Sequence, residues 1–288
     1  MTKKEIAAYI DQTLLSPTAT EEELVSFVTK AKDFGFASVC INPVYIKKAK
    51  EILAGCETKV CTVIDFPLGA GGLETKQTQA DIAIDDGADE LDFVVDLGLV
   101  KAHKWIELKA ELSFIAKSVK EAAMFREEGG AVLTKLILET CCLTDEEIVE
   151  SSRCAKEAGF DFVKTSTGFY SVKPNGATVH AVELMRKTVG PEMGVKASGG
   201  IHSYEEAMAM INAGATRIGA SAGIEIVRDA EGESDWLNWD FPPCNFRPKN
   251  CGAILECRDN RLAGKQQARR QAIVSPASNS LAGKQQAR

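Results

Sequence analysis

The sequence predicts a (β/α)8 TIM barrel, and three observations lead there. From residue 1 to about 228, short β-branched runs alternate with longer stretches of helical periodicity, the pattern of parallel strands joined by crossover helices. Eight such runs can be counted. The length of 288 residues accommodates one barrel, which takes about 250, with residues left over.

The strands are expected near Tyr9 to Leu14, Phe36 to Ile41, Lys59 to Ile64, Glu90 to Val95, Leu133 to Leu138, Phe160 to Lys164, Gly194 to Ala197 and Thr216 to Gly219. Between them, Thr144 precedes Asp145, Glu146 and Glu147, and Ser203 precedes Glu205 and Glu206. These are hydroxyl caps followed by acidic first turns, which suit the positive end of a helix dipole. Gly35, Gly87, Gly159 and Gly214 each stand shortly before a strand, where a helix stops with positive φ. A doubly wound open sheet would carry a glycine-rich dinucleotide loop after its first strand; that strand is followed here by Leu15, Ser16 and Pro17.

The composition changes after Arg228. Residues 229–288 carry Pro242, Pro243, Pro248 and Pro276, and the octapeptide LAGKQQAR occurs at 262–269 and again at 281–288. From Arg258 onward there are seven basic residues and one acidic. Two copies are too few for a solenoid. Residues 1–228 are therefore read as the barrel domain and 229–288 as a low-complexity, disordered extension, with a basic interaction tail as the functional alternative.

With 45% hydrophobic and 26% charged residues, the chain has the composition of a soluble globular protein. A net charge of −7 argues against a dedicated nucleic-acid binder, which needs surplus Lys and Arg. No apolar run approaches the roughly 18 residues of a spanning helix, and the N-terminus lacks a secretory h-region. Nine cysteines without a paired CxxC motif read as free thiols in a reducing compartment. No membrane partner and a cytoplasmic location are expected.

Chemistry concentrates at strand ends. In Phe160-Asp161-Phe162-Val163-Lys164-Thr165-Ser166-Thr167-Gly168, a lysine closes a buried strand, where desolvation penalises its charge. Schiff-base catalysis supplies a reason for it, because an amine must be neutral to attack a carbonyl. Lys196, in Val195-Lys196-Ala197-Ser198-Gly199-Gly200, lies one strand later. Either lysine alone reads as a snorkelling side chain. Two, each followed by small polar residues and glycine at the catalytic face of a barrel, read as catalysis. Their mutual repulsion is expected to depress the pKa of at least one.

Asp92 interrupts the apolar run Glu90-Leu91-Asp92-Phe93-Val94-Val95, and a buried carboxylate needs a partner or a task. A proton shuttle and an ion pair with Lys135 are compatible accounts. Gly199-Gly200 after strand seven and Gly219-Ala220-Ser221-Ala222-Gly223 after strand eight occupy the loops that commonly bind phosphate in barrels. His103, His180 and His202 lack metal-ligand spacing and are expected at the surface or at helix caps. Cys141 and Cys142 have no histidine near them in sequence and are expected to pack rather than react.

From about Ile10 to Val227 the chain resembles the deoxyribose-phosphate aldolase family of class I aldolases. The resemblance runs through Asp11-Gln12-Thr13-Leu14-Leu15, Val39-Cys40-Ile41-Asn42-Pro43, Phe66-Pro67-Leu68-Gly69, Glu90-Leu91-Asp92, Lys135 with Glu139-Thr140, Lys164 to Gly168, Lys196 with Gly199-Gly200, and Gly219-Ala220-Ser221. It implies that Lys164 forms the Schiff base, Lys196 tunes its pKa and moves protons, and Asp92 relays a proton through water. It also implies that Gly168, Gly199, Gly200, Gly219 and Ser221 surround the phosphate, while Asp11, Thr13, Cys40, Lys135 and Thr165 line the pocket. The implied reaction is reversible cleavage of 2-deoxy-D-ribose 5-phosphate to D-glyceraldehyde 3-phosphate and acetaldehyde, without metal or cofactor, by a homodimer or homotetramer. Asp65 and Asp96 depart from the usual glycine and asparagine and are expected to add negative charge near the barrel mouth.

Overall fold

The computed structural model describes residues 1–126, 130–170 and 175–230. Apart from Asp229 and Ala230, the extension expected over 229–288 lies outside the described residues. Eight strands form the sheet: β1 (Ile10–Leu14), β2 (Ser38–Ile41), β3 (Lys59–Ile64), β4 (Glu90–Val94), β5 (Leu133–Ile137), β6 (Phe162–Lys164), β7 (Gly194–Ser198) and β8 (Arg217–Ala220). Each pairs in parallel with the next, and β8 pairs with β1 through Ile10 opposite Ile218 and Asp11 opposite Gly219. The sheet is the closed barrel that the alternation predicted.

The described helices are α1 (Lys3–Ala7), α2 (Glu21–Lys32), α3 (Ile46–Ile52), α4 (Leu73–Asp85), α5 (Leu97–Lys101), α6 (Trp105–Ala123), α7 (Asp145–Ala158), α8 (Val179–Val189), α9 (Tyr204–Asn212) and α10 (Gly223–Asp229). Thr144 and Ser203 cap α7 and α9 as read, each in a reciprocal capping box with Glu147 and Glu206. Thr2 and Thr20 form the same box with Glu5 and Glu23. Such caps contribute about 1 kcal/mol each. The four glycines read as helix stops all take positive φ.

Two apolar layers hold the barrel. α6 buries Leu108, Leu112, Ile115, Ala116 and Val119, a spacing that puts them on one stripe. Outward-facing strand residues such as Val39, Leu91, Phe93, Val163, Val195 and Ile218 meet the helices in one continuous core. The barrel interior is different. Cys40, Cys61 and Val63 form a small apolar patch there, and charged side chains fill much of the rest.

Four strands start later than expected, β1 and β8 by one residue, at Ile10 and Arg217, and β2 and β6 by two, at Ser38 and Phe162. Before β6 the Asp161 carboxylate accepts from Thr134 N and Oγ1 at 2.8 and 2.9 Å, a side-chain cap beside its own backbone bonds to Thr134 and Gly194. Phe160 packs edge to face on Phe93. At the other end, α10 reaches Asp229 and Ala230 is buried.

Candidate active site

Period-two alternation turns Glu90 and Asp92 of β4 into the barrel together. Register aligns Asp92 with Lys135 of β5, Lys164 of β6 with Lys196 of β7, and Lys196 with Arg217 of β8. Side chains at one level of a parallel sheet share a face, so these groups converge on the axis. Closure adds Asp11 from β1.

Asp92 is the hub. Its Oδ1 lies 2.7 Å from Lys135 Nζ, and its Oδ2 lies 2.8 Å from Lys164 Nζ and 2.7 Å from Lys196 Nζ. Lys196 also reaches Asp11 at 2.6 Å, and Lys135 reaches Glu90 at 2.6 Å. Arg217 links Asp11 and Glu90 at 2.6 and 3.1 Å. Asp11, Asp92, Lys135 and Lys196 are fully buried, and Lys164 is 3% exposed. Charges so desolvated are stable only when paired and hydrogen-bonded.

The inventory is uneven, with four cations (Lys135, Lys164, Lys196 and Arg217) against three carboxylates (Asp11, Glu90 and Asp92). Among the described residues Lys164 makes one ion pair, to an oxygen that Lys196 already holds. Removing its proton leaves every carboxylate with a cation and brings the cluster to balance. Lys135 and Lys196 each bridge more than one carboxylate, so losing either proton breaks at least two close pairs where Lys164 breaks one.

Burial, the largest single influence on Asp92, works to raise its pKa. Lys135, Lys164 and Lys196 together outweigh it and hold the carboxyl well below the ordinary range. Asp11 is lowered in the same way, burial being overcome by Lys196, Arg217 and Lys135. Burial works to lower Lys196, but Asp11 and Asp92 overcome it and raise the ammonium. Lys135 stands well above its ordinary value, with Asp92, Cys61 and Glu90 outweighing burial. The depression expected from lysine repulsion is therefore absent at Lys196. Two carboxylates lie closer to it than the argument from neighbouring lysines allowed.

At the mouth, the backbone runs of β5 and β6 continue side by side, with Leu138 N donating to Lys164 O and Thr140 N to Thr165 O, both at 2.9 Å. Thr165 Oγ1 donates to Ser198 O at 3.1 Å and accepts from Ser198 N at 3.0 Å, tying β6 to β7. Gly199 sits against Gly176: a Cβ on Gly199 would lie 2.9 Å from Gly176 Cα and 3.6 Å from Gly168 Cα. Only glycine permits that approach of backbones. A Cβ on Gly219 would meet Lys196 Cε at 3.0 Å, so this glycine leaves room for the lysine stem.

A family model described as DeoC/LacD family aldolase matches residues 6–230. A deoxyribose-phosphate aldolase from Caldanaerobacter subterraneus subsp. tengcongensis is 50% identical over 234 residues, 80% of this chain and 97% of the relative. The chain belongs to the DeoC/LacD family of aldolases. A second member, a deoxyribose-phosphate aldolase from Thermococcus kodakarensis, is 51% identical over 81% of this chain and 100% of its own length. Among solved structures, a tetrameric deoxyribose phosphate aldolase from Aeropyrum pernix superposes with a TM-score of 0.69 at 37% identity, covering 79% of this chain and 91% of that one. The barrel is thus an aldolase, a carbon–carbon lyase.

Against this family, the residues singled out from the sequence fall into two groups. Lys164, Asp92, Lys196, Lys135 and Asp11 form one contiguous cluster. Cys40 faces Cys61 across the β2–β3 ladder, and a hydrogen bond from Cys61 is the main influence lowering the Cys40 thiol. Thr165, Gly168, Gly199, Gly200 and Ser221 lie beyond strand ends, and Thr13 and Gly219 one residue inside the ends of β1 and β8. Thr13 Oγ1 donates to Asp11 O at 2.9 Å, and Ser221 O accepts from Gln12 Nε2 at 3.2 Å. The expected mouth charges of Asp65 and Asp96 are committed locally. Asp65 accepts from Gly71 N at 2.9 Å, and Asp96 caps α5 through Leu99 N at 3.0 Å. His103, His180 and His202 are exposed, as expected.

Glu90 and Arg217 were not singled out for roles, although both complete the cluster. The period of two from Asp92 back to Glu90 was the available signal. Arg217 had none, because its partner Asp11 is 206 residues away and only closure brings them together.

Proposed function

We propose that the chain cleaves 2-deoxy-D-ribose 5-phosphate reversibly to D-glyceraldehyde 3-phosphate and acetaldehyde, with Lys164 as the Schiff-base lysine. The observation that carries the assignment is the single shared ion pair of Lys164 in a cluster with one surplus cation. Neutral Lys164 Nζ attacks the C1 aldehyde of the open-chain sugar, and loss of water leaves a protonated imine. Removal of the C3 hydroxyl proton then breaks the C2–C3 bond, its electrons pass to the imine, and glyceraldehyde 3-phosphate departs. Protonation of the enamine at C2 and hydrolysis release acetaldehyde. Asp92, 2.8 Å from Lys164 Nζ, is the proton relay, directly or through water. Lys196 stays charged as the fixed cation that holds Asp92 and Asp11 ionised. Backbone N–H groups of the glycine loops after β6, β7 and β8 take the phosphate.

Borohydride reduction with acetaldehyde is expected to ethylate Lys164, read by mass mapping of its peptide. A folded protein labelled elsewhere or not at all would remove the assignment. Deoxyribose 5-phosphate should be cleaved and ribose 5-phosphate spared; activity on the 2-hydroxy sugar alone would point to a different phosphosugar lyase or isomerase.

The aldolase unit is read as the barrel domain of residues 1–230, a reading supported by the family match over 6–230. A chain truncated after Ala230 should keep kcat/KM within about twofold of the full chain, measured on deoxyribose 5-phosphate. The tetramer from Aeropyrum pernix favours a homo-oligomer, a dimer or a tetramer, which light scattering will distinguish. The free thiols Cys40, Cys56, Cys61, Cys141, Cys142 and Cys154 suit the cytoplasm. No described helix is long and apolar enough to cross a membrane.

A further inference from the structure

Glu139 follows β5 with φ 56 and ψ 61. That left-handed conformation is strained for a residue with a long side chain and persists where surrounding contacts enforce it. The side chain is only 2% exposed, and no Lys, Arg or His among the described residues pairs with it. A carboxylate buried without a cation needs hydrogen-bond donors instead. Most come from one residue. Thr167 N donates to its two oxygens at 3.4 and 3.2 Å, and Thr167 Oγ1 donates to Oε2. Cys141 Sγ adds a weak contact at 3.6 Å.

Thr167 is three residues beyond Lys164 and immediately before Gly168. Its Oγ1 also accepts from Phe169 N at 3.1 Å, so one carboxylate organises the turn from Thr167 to Phe169. That turn approaches the β7 loop at Gly199. The strained Glu139 backbone, the carboxylate and the Thr167 turn form a continuous brace behind one side of the mouth.

We propose that Glu139 is a positioning residue for phosphate recognition: by holding Thr167 it sets the Gly168 backbone against the Gly199 loop, and so favours substrates that carry a 5-phosphate. The proposal rests on the aldolase reading above. It asks Glu139 to touch neither the sugar nor Lys164.

The test compares kcat/KM for 2-deoxyribose 5-phosphate and for unphosphorylated 2-deoxyribose in wild type, Glu139→Gln, Thr167→Val and Thr167→Ser. Glu139→Gln should lower the preference for the phosphorylated sugar by about tenfold, with the change in KM rather than kcat. Inhibition by inorganic phosphate should weaken in parallel. Thr167→Val should reproduce the split, which keeps the test open if Glu139→Gln does not fold. Thr167→Ser, which retains the hydroxyl, should restore it. A preference ratio within about threefold of wild type in the folded Glu139→Gln or Thr167→Val variant would overturn the proposal. Acetaldehyde trapping in the wild type separates the two readings: its failure there condemns the aldolase assignment, whereas a trapped wild type with unaltered preference in the variants condemns this one.

Discussion

Lys164→Met is expected to give a folded barrel that cleaves deoxyribose 5-phosphate at least about 10⁴-fold more slowly than wild type, because the covalent route is gone and only binding remains. Its thermal midpoint should equal or exceed that of wild type. Removing this cation leaves three cations facing three carboxylates, with every close pair except its own intact. Methionine fills the same volume without a charge to desolvate. Lys196→Met should behave differently, since it deletes pairs of 2.6 Å to Asp11 and 2.7 Å to Asp92. A loss of about 3 kcal/mol is expected there. Thermal melts of the two variants, measured beside borohydride trapping, decide the matter. Equal stability losses in both, or trapping that survives in Lys164→Met, would refute the division of roles.

Much of this arrangement could be read from the chain. β-branched runs and positive-φ glycines placed eight strands, because a parallel barrel repeats the same local grammar in each unit. β2 and β6 begin two residues after the expected start, since Phe36 and Phe160 are apolar and buried like strand residues but precede the ladder. Lys164, Lys196 and Asp92 stood out because a charge inside an apolar strand is costly. The balance of that charge was not legible. Asp11 and Arg217 come from opposite ends of the barrel sequence, and their meeting depends on β8 closing against β1. Hence repulsion between Lys164 and Lys196 was expected to depress at least one of the two, and at Lys196 Asp11 and Asp92 overcome it and raise the ammonium. Glu139 escaped for a related reason: its partner Thr167 lies on the next strand's loop, and the strain in its backbone has no sequence mark.

Asp92→Asn is expected to be the most damaging single change in the cluster. The amide cannot balance the three ammonium groups that converge on Asp92, and Lys164 has no other carboxylate partner among the described residues. Breaking a buried ion network from one side costs about 3–5 kcal/mol, and losing the proton relay costs about 10²–10⁴ in kcat. The pH dependence has a definite sign. The folded Asp92 pKa lies well below the unfolded one, so its stabilisation is complete above the unfolded value of about 3.9 and is lost as pH falls through the folded value. Denaturant midpoints of wild type and variant should therefore stand far apart at pH 7 and draw together as the pH falls below the unfolded value of about 3.9. Adding Lys164→Met to Asp92→Asn removes the ammonium that the amide left unpaired. The double variant should thus be more stable than Asp92→Asn alone, while turnover stays at the background of Lys164→Met. Recovery of stability without recovery of activity separates the two tasks of this carboxylate, holding a cluster of like charges together and moving a proton for the one amine that can leave it. A double variant no more stable than the single would show that Lys164 was never the cation in surplus.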